Sequence, residues 1–164
     1  MQSAKDSFYM ALRNRLVEAN PERTAVVDGV ARPAIVVEEN ETGDLSAMDH
    51  AFRVQWGGCT GVANGSRLMK MDCTIRYGTR GVDGSTGDRG RTLTTMDAEL
   101  MSMCQPLRTA KMDYTMIPAK SLGTMVFWTE LDFGNPKDEA GRMERQATTT
   151  VYFFAGTKQA EAQG

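Results

Sequence analysis

Histidine and cysteine are nearly missing from this chain: one of the former and three of the latter among 164 residues. Cys59, Cys73 and Cys104 are odd in number, far apart and without a Cys-x-x-Cys pair, which argues against a disulfide framework and against paired zinc ligands. Reduced thiols are the default for such a set. The single histidine, His50, has only its direct neighbour Asp49 as an orienting carboxylate, a poor arrangement for a general base. Neither Gly-x-Gly-x-x-Gly nor the Gly-Lys-Ser/Thr ending of a phosphate loop occurs, and no serine sits in a Gly-x-Ser-x-Gly elbow. No apolar run approaches the roughly 18 residues of a membrane span. Residues 1–6 are polar and contain no apolar signal core, so synthesis and folding in a reducing cytoplasm are expected. Charge of one sign is lacking too. With 19 basic and 21 acidic residues, a net charge of -2 and good mixing, the chain has no basic footprint for dedicated nucleic-acid binding.

What is present fits one folded unit. A chain of this length carries a single core and buries roughly 70% of its unfolded surface without help from disulfides or metals. Hydrophobic residues at 41% and charged residues at 24% are globular proportions. Twelve methionines are many. They fit irregular core packing, and equally a pliable contact surface.

Element signals follow in order. Ser3 and Asp6 have helix-start spacing, Phe8, Leu12 and Leu16 form an apolar stripe, and Asn20-Pro21 ends it, which predicts a helix over 4–19. Asp28-Gly29 between β-branched runs predicts a tight hairpin, and Pro33 marks an edge or bulge. Ile35, Val36 and Val37 read as a strand buried on both faces. Phe52, Val54 and Trp56 alternate up to Gly57-Gly58, where a strand is expected to end. The clearest strand places Met69, Met71, Cys73, Ile75 and Tyr77 on one face and Lys70, Asp72, Thr74 and Arg76 on the other. Gly78, Gly81, Gly84, Gly87 and Gly90 then recur every third residue without proline, predicting a long flexible loop over 78–91. Disorder in the isolated subunit and ordering against a neighbour both fit it. Thr94 and Asp97 have capping-box spacing for a second helix with Met96, Leu100, Met103 and Leu107 on its apolar stripe, and Asp97 with Glu99 reads as first-turn acids. Strands over 123–133 and 146–154 close the chain around a charged loop, and a frayed polar tail is expected over 156–164.

This order of elements resembles the tail-terminator proteins of long-tailed bacteriophages. The residues that carry the likeness are 8–16, 32–37, 69–77, 96–107, 125–133 and 148–154, a pattern of elements covering most of the chain. The resemblance implies a single α/β (α+β) domain over 1–164, with two helices packed on one face of a mainly antiparallel sheet and long loops besides. It implies a homohexameric ring, not an enzyme, that caps the finished tail tube, stops its polymerisation and offers the head-attachment surface. Its partners would be its own copies, the tail tube protein and a head-completion or connector protein, with a sheath as a further partner where one surrounds the tube. DNA would only pass through the lumen, no membrane is involved, and no cofactor or metal is called for. The place would be the head-proximal end of the virion tail, assembled in the bacterial cytoplasm. Exposed strand edges and two-faced strands suit pairing between subunits. On that reading Arg80, Asp88, Arg89 and Arg91 of the glycine loop, with Trp128 and Tyr152 of the closing strands, are the expected contacts. A tail tube subunit or head–tail connector, and a small cytoplasmic enzyme, remain as alternatives.

Overall fold

The structure, a computed structural model, describes residues 1–41, 48–82 and 86–156. It is an α+β fold in which both helices lie against one face of a curled, mainly antiparallel sheet. Helix α1 (Gln2–Ala19) buries Ala4, Phe8, Leu12 and Leu16, the stripe its spacing requires. Ser3 and Asp6 do not cap it. The helix already starts at Gln2, so the Ser3 carbonyl accepts from Ser7 Oγ one turn on, and Asp6 accepts from Gln2 Nε2. The Asn20 amide closes the other end on the Leu16 carbonyl at 2.8 Å.

Strands β1 (Thr24–Val27) and β2 (Val30–Pro33) form a hairpin of their own, turning through Asp28 at φ 51° and Gly29 at φ 80°. Two consecutive positive φ angles are what a type I′ turn demands, and Asp-Gly supplies them cheaply. The main sheet has the order β3 (Ile35–Val37), β4 (Phe52–Gly61), β5 (Leu68–Thr79), β10 (Arg142–Phe154), β7 (Lys120–Trp128) and β6 (Arg108–Asp113). Among the described residues only β3 and β4 run parallel. Two short strands, β8 (Asp132–Phe133) and β9 (Lys137–Glu139), complete the edge of β10 beyond β7.

Four expectations change here. Strand β4 runs on past Gly57-Gly58 through a bulge between Trp56 and Cys59. A side chain on Gly57 would come within 3.1 Å of Asp72 Cβ, so glycine there permits close strand approach instead of ending the strand. The span 123–133 is not one strand: β7 stops at Trp128 and β8 resumes at Asp132, because three short segments share one edge of the thirteen-residue β10. Strand β6 was not expected; its pattern is interrupted by a bulge between Ala110 and Met112. The glycine run is mostly regular structure. Gly78 belongs to β5, and α2 (Thr86–Met103) begins early enough to include Gly87 and Gly90. Thr94 is therefore interior, its Oγ1 bonded to the Gly90 carbonyl, and Asp97 and Glu99 lie in the second half of the helix. Asp83 of the expected loop and the tail after Gly156 lie outside the described residues.

Helix α1 is the axis of the curl. Phe8 meets Trp56 of β4 edge-on at 5.3 Å and Trp128 of β7 edge-on at 4.9 Å, so one ring joins strands from both halves of the sheet. The same helix tethers both outer strands. Ser7 Oγ accepts the Met112 amide of β6 at 2.9 Å, and the Tyr9 hydroxyl donates to the Ile35 carbonyl of β3 at 3.3 Å. Helix α2 adds Leu93, Met96, Leu100 and Met103 to the same core. Of the methionines, Met71, Met96 and Met103 are buried in the core, whereas Met101, Met116 and Met125 are exposed.

Candidate functional site

The six residues expected at contacts do not form one patch. Three of them gather around the start of α2. Arg80 is exposed, with Nε 3.6 Å from Asp49 Oδ2 and a bond to the Ala140 carbonyl. Asp88, in the first turn, accepts the Val82 amide. Arg89 is buried and pairs with Asp138 Oδ2 of β9 at 3.1 Å, so it pins β9 to the helix and is no solvated loop residue. Arg91 is exposed on α2.

Trp128 is interior at 3% exposure, which removes it from the surface of the folded subunit. Its indole N–H donates to the Cys104 carbonyl at 3.0 Å, and the Arg15 guanidinium lies 5.5 Å over its ring. Strand alternation alone cannot distinguish an outward tryptophan from one facing a helix. Tyr152 is half-buried on the outer face and stacks on Phe127 at 5.4 Å with an interplanar angle of 8°. It sits nine residues along β10 from Met143, the partner of Thr79, which places it roughly 30 Å from the Arg80 group.

Buried charge is spent on joining elements. Arg142 reaches Asp49 at 2.6 Å, Glu144 at 2.6 Å and the Met48 carbonyl at 3.0 Å. Glu144 also holds Arg53 at 2.8 Å. Arg145 pairs with Asp97 at 3.0 Å, and the Tyr77 hydroxyl donates to the same carboxylate. Glu99 anchors the β1–β2 hairpin through Arg23 at 2.7 Å and Asn20 at 2.8 Å, a role the sequence could not disclose. Lys111, in the β6 bulge, donates to the Phe154 carbonyl at 2.9 Å. His50 occupies a left-handed turn at φ 60°, with Nε2 2.7 Å from Thr79 Oγ1.

Burial pushes the Cys73 and Tyr77 groups well above their ordinary range, and pushes the Cys104 thiol up to about 12 against the opposing pull of Arg15. Such thiols stay protonated and unreactive at neutral pH. No group of three His, Cys, Asp or Glu is placed to hold a metal among the described residues, and no helix among them is long and apolar enough to cross a membrane.

Exposed large apolar side chains are spread over the described surface, Met1, Val17, Val62, Val82, Met101 and Phe154 singly and the others in three groups. Val26 and Val30 flank the hairpin turn at 67% and 63% exposure. Tyr114, Met116 and Ile117 lie on the β6–β7 connection, with Ile117 almost wholly in solvent. Met125, with Pro106, Leu107 and Phe127, lines an open cleft of about 540 Å³ whose rim carries Gln105 and Arg108. The sequence matches no known family and no curated protein.

Proposed function

We propose that this chain is a ring-forming structural subunit of a phage tail, the terminator that caps the tail tube, stops its growth and presents a surface to the head. One observation supports the reading: beside scattered exposed apolar residues such as Val17, Val82 and Met101, small groups of them occur on the hairpin tip, the β6–β7 connection and the outer cleft. Scattered single apolar residues need no partner, but apolar groups concentrated on projections and clefts mark contact surfaces. A ring subunit needs three such surfaces, one for each neighbouring copy and one facing along the axis toward the tube. The α+β core with both edge strands tethered to α1 supplies a stiff frame on which they can be presented.

The test is the mass of the full chain by light scattering over a concentration series, with negative-stain images of the same sample. Closed rings of about six copies are expected. Open-ended filaments would favour the tube-subunit alternative, because a head-to-tail contact that does not close polymerises. A monomer that persists at the highest concentration would overturn the ring reading.

A further inference from the structure

We propose that an open basin of about 540 Å³ beside β10, walled by Arg76, Lys137, Asn135 and Gln146, binds a small oxyanion, a carboxylate or a phosphate group, on the Arg76 guanidinium. The site is independent of the ring reading above.

Register puts the walls on one face of the sheet. Cross-strand partners share a face, and Arg76 of β5 lies opposite Arg53 of β4 on one side and Gln146 of β10 on the other. Two residues along β10, Glu144 lies between Gly78 of β5 and Lys137 of β9, so Lys137 stands on the face that carries Arg76. This face is turned away from the helices. Ile75 and Ala147, next in line to Arg76 and Gln146, point the other way into the core.

Two arginines directly opposite one another repel, and only one of this pair is compensated. Arg53 has Glu144 at 2.8 Å and Glu38 at 3.9 Å. Arg142 takes Glu144 and Asp49, each at 2.6 Å, and Asp49 also faces Arg80 at 3.6 Å. Those three arginines share those three carboxylates. Arg76 is left over: among the described residues its side chain makes no ion pair and no hydrogen bond. Its Nε is buried without an acceptor, so water reaches the charge only from the terminal nitrogens. A cation hydrated so poorly has little water to lose and gains most from a charged acceptor, and the guanidinium fork fits two oxygens carried on one atom. Lys137 brings a second cation to the same basin, offset by Glu139 two residues along β9, and Asn135 and Gln146 add neutral amide donors. The basin's surplus is therefore one positive, fork-shaped group, which selects an oxyanion over a metal ion or an apolar ligand.

The test melts the full-length chain in sodium chloride, sodium acetate and sodium phosphate at one pH and one ionic strength, so that general screening is the same in each. Arg76→Gln is compared with the wild type, and Arg91→Gln, on the exposed side of α2, serves as control. Calorimetric titration of the same samples with acetate and phosphate gives the affinities. Acetate or phosphate should raise the melting temperature of the wild type and of Arg91→Gln above its value in chloride, and should bind Arg76→Gln at least roughly tenfold more weakly. The larger rise identifies the source, acetate for a carboxylate and phosphate for a phosphate group. In chloride, Arg76→Gln should melt no lower than the wild type, because its loss relieves the repulsion at Arg53, a result that a merely structural arginine would not give. Equal melting of the wild type in all three salts, an equal response in Arg76→Gln, or a loss of stability on that substitution in chloride would each overturn the site.

Discussion

The two ends of the β5–β10 pair are held by different physics. Their ladder is unbroken for twelve residue pairs, from Met143 opposite Thr79 to Phe154 opposite Leu68. At one end Met71 lies opposite Val151 and Ile75 opposite Ala147, all four buried beneath the helices. At the other end Tyr77 lies opposite Arg145 and Gly78 opposite Glu144, and the neighbouring elements are drawn in by Arg142, Arg145 and Arg53. Backbone pairing is the same throughout, so what distinguishes the ends is how they recruit the rest of the chain. Apolar burial recruits any greasy surface of fitting shape, whereas an arginine fork recruits particular carboxylates.

The comparison can be broken from either end. Phe8→Ala removes the ring between Trp56 and Trp128, and should cost about 3–5 kcal/mol by denaturant unfolding, since the curled sheet cannot collapse onto the gap. At the ionic end Arg142→Ala should cost about 2–3 kcal/mol, below the range for a wholly buried pair because Asp49 and Glu144 keep part of their hydration. Gly78→Ala should cost nearly as much, because its Cβ would lie 2.7 Å from the Arg142 guanidinium carbon. In the Arg142→Ala background the same change should be almost silent. A double mutant with additive losses would show that Gly78 is not there to admit the arginine.

Alkali sharpens the contrast. Burial, and then the Asp97 hydrogen bond, raises Tyr77 above its ordinary 10.0; burial raises Cys73 above 9.0 and Cys104 to about 12. Raised values mean the folded chain keeps protons that the unfolded chain releases. The stability involved is complete below the ordinary values and is lost as pH climbs through them toward the folded ones. Melting temperature should therefore hold to about pH 8.5 and fall above about pH 9, with a shallower fall above pH 10 in Tyr77→Phe. An unchanged slope in that variant would remove Tyr77 from the account. The smallest effects separate the arginines once grouped in a glycine loop. Arg89→Ala should lose about 1–2 kcal/mol with its tie to Asp138, while Arg80→Ala with Arg91→Ala should stay within about 0.5 kcal/mol.

Local pattern carried the apolar end and left the ionic end illegible. Phe8, Leu12 and Leu16 at helical spacing, Met69 to Tyr77 at strand spacing and the Asp28-Gly29 turn could each be read within a dozen residues, and each folds as read. Arg142 meets Asp49 across 93 positions and Arg23 meets Glu99 across 76, so no window of sequence contains both partners. The glycine run misled for a related reason. Gly87 and Gly90 weaken a helix only modestly, and the packing of Leu93, Met96 and Leu100 outweighs them. Strand β6 escaped notice because its bulge breaks the alternation that would have revealed it. Of the expected contact residues, burial withdrew Trp128 and Arg89, since a strand's two faces look alike until something packs on one of them.

By itself, then, the sequence determined an α+β chain, the apolar stripe of the first helix and Met96, Leu100 and Met103 of the second, the I′ hairpin and the inward face of β5, because those depend on residues close together in the chain. Tertiary structure alone decided that the sheet curls about Phe8, that Glu99 holds the base of the hairpin, and that Leu107, Met125 and Phe127 line one apolar cleft. Those features depend on groups that are distant in sequence, and only a folded core brings them to fixed positions.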